Sequence, residues 1–567
     1  MSDFDAIVVG SGMSGGWVAK ELCERGLKVL VLERGKDIDP ASDYSDQTPV
    51  YERTHLDRLT EKERAQHYPI QTRAAAYAVK ESNKHLWVKD SDHPYVTPDD
   101  KPFSWVRGYH VGGRSLTWWR ASFRLSPDDF LGNQRDGIGV DWPIRYDDLA
   151  PWYDHVERFA GVSGSREDND TLPDGVFQPA FALTGPEEAF QQWVAASYAD
   201  RFVTPTRTAN LTAPTEEQQA LGRGRCQVRS LCVHGCSYGA YFSANSATLP
   251  AAKRTGNLTL RTDAIVHSLI TDAPGNRITG VRVIDAKTKE HSVFTSRILF
   301  LNASAIASAL ILLQSASDQH PDGLANSSDQ VGRNVMDHVG GAYAVANVSG
   351  FDDLYTFGRR PNGYYMPRYT NVGRRDRAFL RGYGFQGNSW RAGWSGDRPG
   401  VGEELKEKNR RPGPWRISAT AFGEVLPNPK NRVTPHKTKV DRWGLPLPYI
   451  DCQYGDNELA LMQQASKDIH AMFTQAGFKV VESSETNGLK LWEPGRGIHE
   501  MGTARMGRDP STSVLNRFNQ AHDVENLFIT DGAAMTSSAT QNPSLTYMAL
   551  SARAANHAAD LLEQSIL

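Results

Sequence analysis

Cysteine is scarce in this chain, with five among 567 residues. An odd, low count excludes a disulfide scaffold, and no Cys-x-x-Cys-His run offers covalent attachment to haem. An excess of charge of one sign is also missing. The formal net charge is −3, which gives nucleic acid no electrostatic hold. No apolar run reaches the roughly 18 residues of a membrane span. The opening Met1-Ser2-Asp3-Phe4-Asp5 enters an apolar strand without a basic region or cleavage site, so no secretory signal is expected on this chain. What remains is the composition of a soluble globular protein, 39% hydrophobic and 23% charged, long enough for two or more domains.

Three of those few cysteines, Cys226, Cys232 and Cys236, crowd into eleven residues of "RCQVRSLCVHGCSYGAY", Arg225–Tyr241. A disulfide would leave one thiol over. Zinc usually takes four ligands, for which His234 is available. Three thiolates also suit an iron–sulfur cluster. The loop by itself leaves these open.

"FDAIVVGSGMSGGWVAKELCERGLKVLVLERG" (Phe4–Gly35) reads as strand, glycine turn, helix and second strand. Gly10, Gly12 and Gly15, with Met13 and Ser14 between them, let backbone approach a pyrophosphate at a helix N-terminus. Glu33 ends the second strand, where an acid can accept from a ribose. The motif binds a dinucleotide but does not separate NAD from FAD. Further on, "WVRGYHVGGRSLTWWRASFRLSPDDF" (Trp105–Phe130) sets Gly112 and Gly113 before tryptophans, a loop suited to a flat ring system. At the C-terminus, "GIHEMGTARMG" holds His499, and a buried strand runs to Asp531-Gly532. A helix follows from Asn542-Pro543-Ser544-Leu545, with proline at its start. Its free N–H groups would stabilise a reduced, anionic flavin.

These segments, with "VGRNVMDH" (Val331–His338) and "PNPKNRV" (Pro427–Val433), resemble the glucose–methanol–choline (GMC) flavoprotein oxidoreductases over most of the length. The His499…Asn542 pairing is similar to that of pyranose oxidases and sugar dehydrogenases. The Cys-x5-Cys-x3-Cys spacing looks like that of glucoside 3-dehydrogenase and glucose dehydrogenase catalytic subunits. The resemblance implies an α/β fold, a Rossmann-like FAD-binding domain of the p-hydroxybenzoate-hydroxylase kind beside a substrate domain on a mostly antiparallel sheet. It implies FAD contacts from Arg34, Arg107, Ser115, Trp118, Val266, Ala303, Asp531 and Gly532 in addition to the motif residues above. Thr117 stands where pyranose oxidases carry the histidine linked to flavin, so non-covalent FAD is expected. For Cys226, Cys232 and Cys236 the resemblance implies a 3Fe-4S cluster.

The flavin domain is expected from residues 1–40, 103–125, 223–340 and 498–567, and the substrate domain and insertions from 41–102, 126–222 and 341–497. The segment Arg381–Gly400, rich in glycine, arginine and aromatics, suits sugar rings, and Glu403–Arg416 reads as solvated surface or a partner-facing loop. Alcohol oxidation needs a base for the hydroxyl proton, and a neutral imidazole serves at neutral pH. His499 is that base, and Asn542 holds the same hydroxyl. Glu424 and Arg505 are candidates for shaping the pocket. The expected activity is a sugar or glycoside dehydrogenase oxidising a secondary hydroxyl, C3 favoured. The alternatives are an oxygen-using pyranose oxidase, a glucose C1 dehydrogenase and a flavin-containing assembly subunit without turnover. The family also implies a small subunit carrying the export signal and a c-type cytochrome acceptor, hence periplasmic work; without such a partner the chain would stay cytoplasmic.

Overall fold

The structure, a computed structural model, describes residues 3–354, 363–392, 400–410 and 412–567. Residues 393–399 of the Arg381–Gly400 segment and residue 411 of Glu403–Arg416 lie outside the described residues.

A parallel sheet forms where strands are apolar on both faces. Ala6 to Val9, Val29 to Leu32 and Ile298 to Leu301 are all buried, which requires cover on each side. The order is Leu258–Arg261, Val29–Leu32, Phe4–Val9, His291–Leu301, Ile278–Asp285, Ala264–Thr271, with Leu527–Phe528 also on His291–Leu301. The first four run parallel and the last two return antiparallel. Helix Met13–Glu24 and the C-terminal helix Ser544–Glu563 cover one face. Val18 and Leu22 of the first share a core with Ala554, Ala555 and Ala558 of the second, above Val8 and Val31. The alanines let the two helices approach closely, and each buried valine or leucine contributes about 1.5–3 kcal/mol.

The second sheet is antiparallel, ordered Lys479–Ser483, Tyr343–Val348, Trp415–Glu424, Tyr383–Arg391, Tyr364–Met366, Thr204–Pro205, with His338–Val339 on Trp415–Glu424. Ile417, Ala419 and Ala421 alternate inward, in one core with Leu461, Met462 and Ala465 of helix Asp456–Gln475. Thr420 and Phe422, the intervening residues, face the central cavity. Period-two alternation thus gives this sheet one face for packing and one for ligand.

Residues 41–102, grouped with the substrate domain in the sequence reading, fold as short helices with a small core of their own. Tyr68, Ala75, Val79, Leu86 and Trp87 pack with Val106 and Leu116, and Val233 of the cysteine loop lies against them. This segment therefore sits on the flavin-side glycine turn. Among the described residues no helix is long and apolar enough to cross a membrane.

Candidate active site

A cavity of about 740 Å³ lies between the sheets. Two glycine turns meet in its wall. A Cβ on Gly10, at φ +95°, would come 2.4 Å from the Asn302 carbonyl oxygen, and one on Gly15 would come 1.8 Å from that of Gly10. Neither position has room for a side chain. Gly12 differs, since a Cβ there meets nothing nearer than 3.9 Å, the Gly112 carbonyl oxygen; it faces the cavity. The Ser11 hydroxyl ties the turns together, donating to Glu33 Oε2 at 2.5 Å and accepting from the Gly112 N–H at 2.9 Å. The Glu33 carboxylate also accepts from the N–H groups of Ser11 and Gly35. Burial raises its pKa against those bonds.

Helix Met13–Glu24 has no side-chain cap, so its first N–H groups face the cavity beside Gly12, Met13 and Ser14. Arg107 leaves Nε and Nη2 buried without hydrogen-bond partners. Free amides, an open glycine and buried guanidinium donors fit an anionic dinucleotide, and the residues accommodate FAD. Glu33, Arg34, Arg107, Gly113, Ser115, Trp118, Val266, Ala303, Asp531, Gly532, Asn542 and Ser544 line the same cavity. Gly15, Gly112, Pro543 and Leu545 do not line it. The two glycines make the turn possible, Pro543 precedes the C-terminal helix without capping it, and Leu545 is core. Asp531 accepts from the N–H groups of Ser304 and Ala533 and from the Ser308 hydroxyl, and burial raises it to about 6. Glu424 and Arg505 stand away from the wall: Glu424 is buried beside Arg381 and Arg368, and Arg505 bonds Thr512 and Gln330.

The sequence reading missed His338. Its Nε2 lies 3.0 Å from the Ala539 carbonyl oxygen, and its Nδ1 lies 2.7 Å from His499 Nδ1. A carbonyl accepts only, so His338 carries its proton on Nε2 and accepts at Nδ1. His499 therefore donates from Nδ1, and its Nε2 carries the ring's lone pair as an acceptor. The other side gives the same answer. Gln386 donates to Asn542 Oδ1, which turns the Asn542 amide N–H toward His499 Nε2, 3.3 Å away. Burial, then His338 and Arg114, hold the His499 pKa well below the usual histidine value, and burial lowers His338 to about 4. Two backbone conformations rare for their residue types frame the pair, Ile498 at φ +63° and Ala539 at φ +54°; each costs about 1–3 kcal/mol. Asp337 clamps the first by accepting from the N–H groups of Gly497 and His499, and burial and Glu500 raise it to about 7.

The cysteine loop is arranged differently. All five cysteines are free, and Cys226, Cys232 and Cys236 are half-buried. Burial pushes the Cys226 thiol up to about 11 and raises Cys236. His234, the possible fourth zinc ligand, is engaged elsewhere. Its ring bonds Ser45, Ser82 and Arg53, with Arg53 Nη1 3.0 Å from Nε2. Among the described residues no three His, Cys, Asp or Glu side chains are arranged to hold a metal ion. The expected 3Fe-4S ligand set on Cys226, Cys232 and Cys236 is therefore not formed by the thiols as placed.

Fold and site together define an FAD-dependent oxidoreductase acting on CH–OH groups. The chain belongs to the GMC oxidoreductase family, matching its N-terminal part over residues 4–340 and its C-terminal part over residues 427–551. It is 28% identical over 582 residues to the fructose dehydrogenase large subunit of Gluconobacter japonicus, covering 99% of this chain and 98% of the relative. It is 28% identical over 579 residues to 2-methyl-1,2-propanediol dehydrogenase of Mycolicibacterium austroafricanum, covering 98% and 94%. It is 25% identical over 586 residues to the gluconate 2-dehydrogenase flavoprotein of Pantoea cypripedii, covering 95% and 91%. Pyridoxine 4-oxidase from Mesorbium loti shares the fold at TM-score 0.61 and 16% identity, over 98% of each chain.

Proposed function

We propose that this chain is the catalytic subunit of a sugar or glycoside dehydrogenase that oxidises a secondary ring hydroxyl, with C3 favoured. The observation that carries the reading is the His499–Asn542 pair, an unprotonated ring nitrogen and an amide N–H in contact at 3.3 Å on one cavity wall. A substrate hydroxyl that takes over this contact donates to His499 Nε2 and accepts from Asn542 Nδ2. Bound FAD supplies the hydride acceptor. The uncapped N-terminus of helix Ser544–Glu563 meets the same wall, where its partial positive charge favours an anion.

Sugar as substrate is supported by Trp118, Tyr364, Phe422 and Trp492, aromatic faces on the wall, with Gln386 and Asn388 among them, and by the fructose and gluconate dehydrogenases among the relatives. C3 rests on the resemblance to glucoside 3-dehydrogenases. Non-covalent FAD rests on Thr117, which lines the cavity and offers no imidazole. The rest of the reading is a small subunit bearing the export signal, a c-type cytochrome or other acceptor, and periplasmic work. Its support is the relative named as a large subunit. The 3Fe-4S cluster belongs here too, supported by three free thiols on one loop. Iron and sulfide analysis of protein purified under argon tests it, and stoichiometric zinc without iron rejects it.

Anaerobic addition of a β-glucoside should bleach the flavin. A flavin left oxidised by every sugar and glycoside tried would leave the assembly-subunit reading standing. Stoichiometric peroxide in air would make the chain an oxidase. A product carbonyl at C2 by NMR, or activity confined to free C1, would overturn C3.

A further inference from the structure

Arg120 is a buried cation whose charge the described residues leave unbalanced. It lines the cavity two residues past Trp118 and is 3% exposed. One N–H donates to the Trp118 carbonyl, while Nε has no hydrogen-bond partner. The guanidinium lies 5.0 Å from the Tyr241 ring centroid and 5.6 Å from that of Trp119. The other buried or half-buried arginines of the wall each face an acid: Arg34 with Asp441 at 4.0 Å, Arg107 with Asp90 at 3.7 Å, and Arg114 with Glu500 at 2.7 Å. Arg496 is exposed and needs none. Among the described residues Arg120 has no such carboxylate. Aromatic faces return only part of what burying a charge costs.

The residue is also held in place. Its backbone sits at φ +63°, a conformation a long side chain rarely adopts, and its carbonyl accepts from the Ala209 N–H and the Ser122 hydroxyl, each at 2.9 Å. That wall runs on to the catalytic pair. Ala121 bridges Thr208, the Thr206 N–H donates to the Gly363 carbonyl, Tyr365 pairs with Gln386, and Gln386 holds Asn542. Arg120 thus lines the cavity on a stretch of backbone whose bonds lead to Asn542, whereas the dinucleotide phosphates have the uncapped helix and Arg107.

We propose that Arg120 recognises a carboxylate on the substrate, so that the sugar oxidised is a pyranose acid, a uronic acid or its glycoside. The proposal rests on the dehydrogenase reading above and narrows its substrate class. A guanidinium presents two parallel N–H groups to a carboxylate, a geometry that a neutral hydroxymethyl group cannot match.

The test is anaerobic stopped-flow reduction of the holoenzyme with matched pairs, methyl β-glucuronide against methyl β-glucoside and methyl β-galacturonide against methyl β-galactoside. In the wild type the better acid should exceed its neutral partner at least about tenfold in second-order rate constant, and added salt should erode that advantage. Arg120→Gln should bring the pair within about threefold, and Arg120→Lys, which keeps the charge but loses the fork, should recover part of the preference. Equal rates, or bleaching by neutral sugars alone, would overturn this proposal and leave the dehydrogenase reading intact; bleaching by neither overturns both. Burial raises the Cys226 thiol, and the Arg120 charge acts against that rise. If Arg120→Gln slows acid and neutral sugars alike while changing iron content or Cys226 alkylation, the residue serves the cysteine loop and the proposal fails. The wild-type comparison needs no variant to fold.

Discussion

The His338–His499–Asn542 corner and the Cys226–Cys236 loop both gather chemistry-bearing side chains, but the protein completes only the first. In the corner a chain of hydrogen bonds from the Ala539 carbonyl through His338 fixes which nitrogen of His499 is unprotonated, and Gln386 fixes which way Asn542 points. In the loop three free thiols stand half-buried, Val228 and Ser230 take left-handed conformations, and His234 is bonded to Arg53. Proton transfer needs a fixed tautomer, which neutral donors and acceptors can supply. Metal ligation needs deprotonated sulfur, and burial keeps Cys226 and Cys236 protonated until an ion displaces the protons.

Substitutions can break that comparison in order of effect. His499→Ala should slow flavin reduction roughly 100- to 10,000-fold with FAD still bound; stopped-flow reduction at near wild-type speed would remove His499 as the base. His338→Ala should cost about 10- to 100-fold, because it frees the His499 tautomer while leaving the base in place. A loss as large as that of His499→Ala would mean His338 does more than orient. Gly12→Ala fits the protein, so the apoprotein should melt unchanged while FAD affinity, read by fluorescence titration, falls about tenfold or more. A lowered melting temperature would show that the wall is less open there than Gly12 indicates. Cys232→Ser should leave single-turnover flavin reduction within about twofold, since surface-loop changes away from a site act weakly on it. A large loss would couple the loop to the corner.

The sequence made the local motifs legible. Strand, glycine turn, helix, second strand and Glu33 are contiguous, and the structure forms Phe4–Val9, Met13–Glu24 and Val29–Leu32 from them. His499 and Asn542 were recognisable from the motifs around each. What stayed hidden depends on partners far along the chain. His338 lies 161 residues from His499, inside a motif already singled out, yet its part depends on a carbonyl at Ala539. Nothing in the glycine turn marks Ser11, whose bond to Gly112 spans 101 residues. Arg120 lies within the Trp105–Phe130 segment, where only burial without an acid distinguishes it. Conversely Gly15, Gly112 and Leu545 were read as touching the cofactor because motif position does not distinguish the residues lining a cavity from those behind it.

The pH dependence of anaerobic flavin reduction tests the central claim, a His499 that is neutral with Nε2 unprotonated. An ordinary histidine near 6.5 would lose about threefold of its base form between pH 7 and pH 6. A pKa held well below that value leaves the base form intact over the same interval, and protonation enters only as pH falls further. The wild-type reduction rate constant should fall by less than about threefold between pH 7 and pH 6 with no step at 6.5; Asp337, raised to about 7, ionises in this window and sets what smaller change there is. A fall of threefold or more across that unit, with an apparent pKa near 6.5 that disappears in His499→Ala, would contradict it.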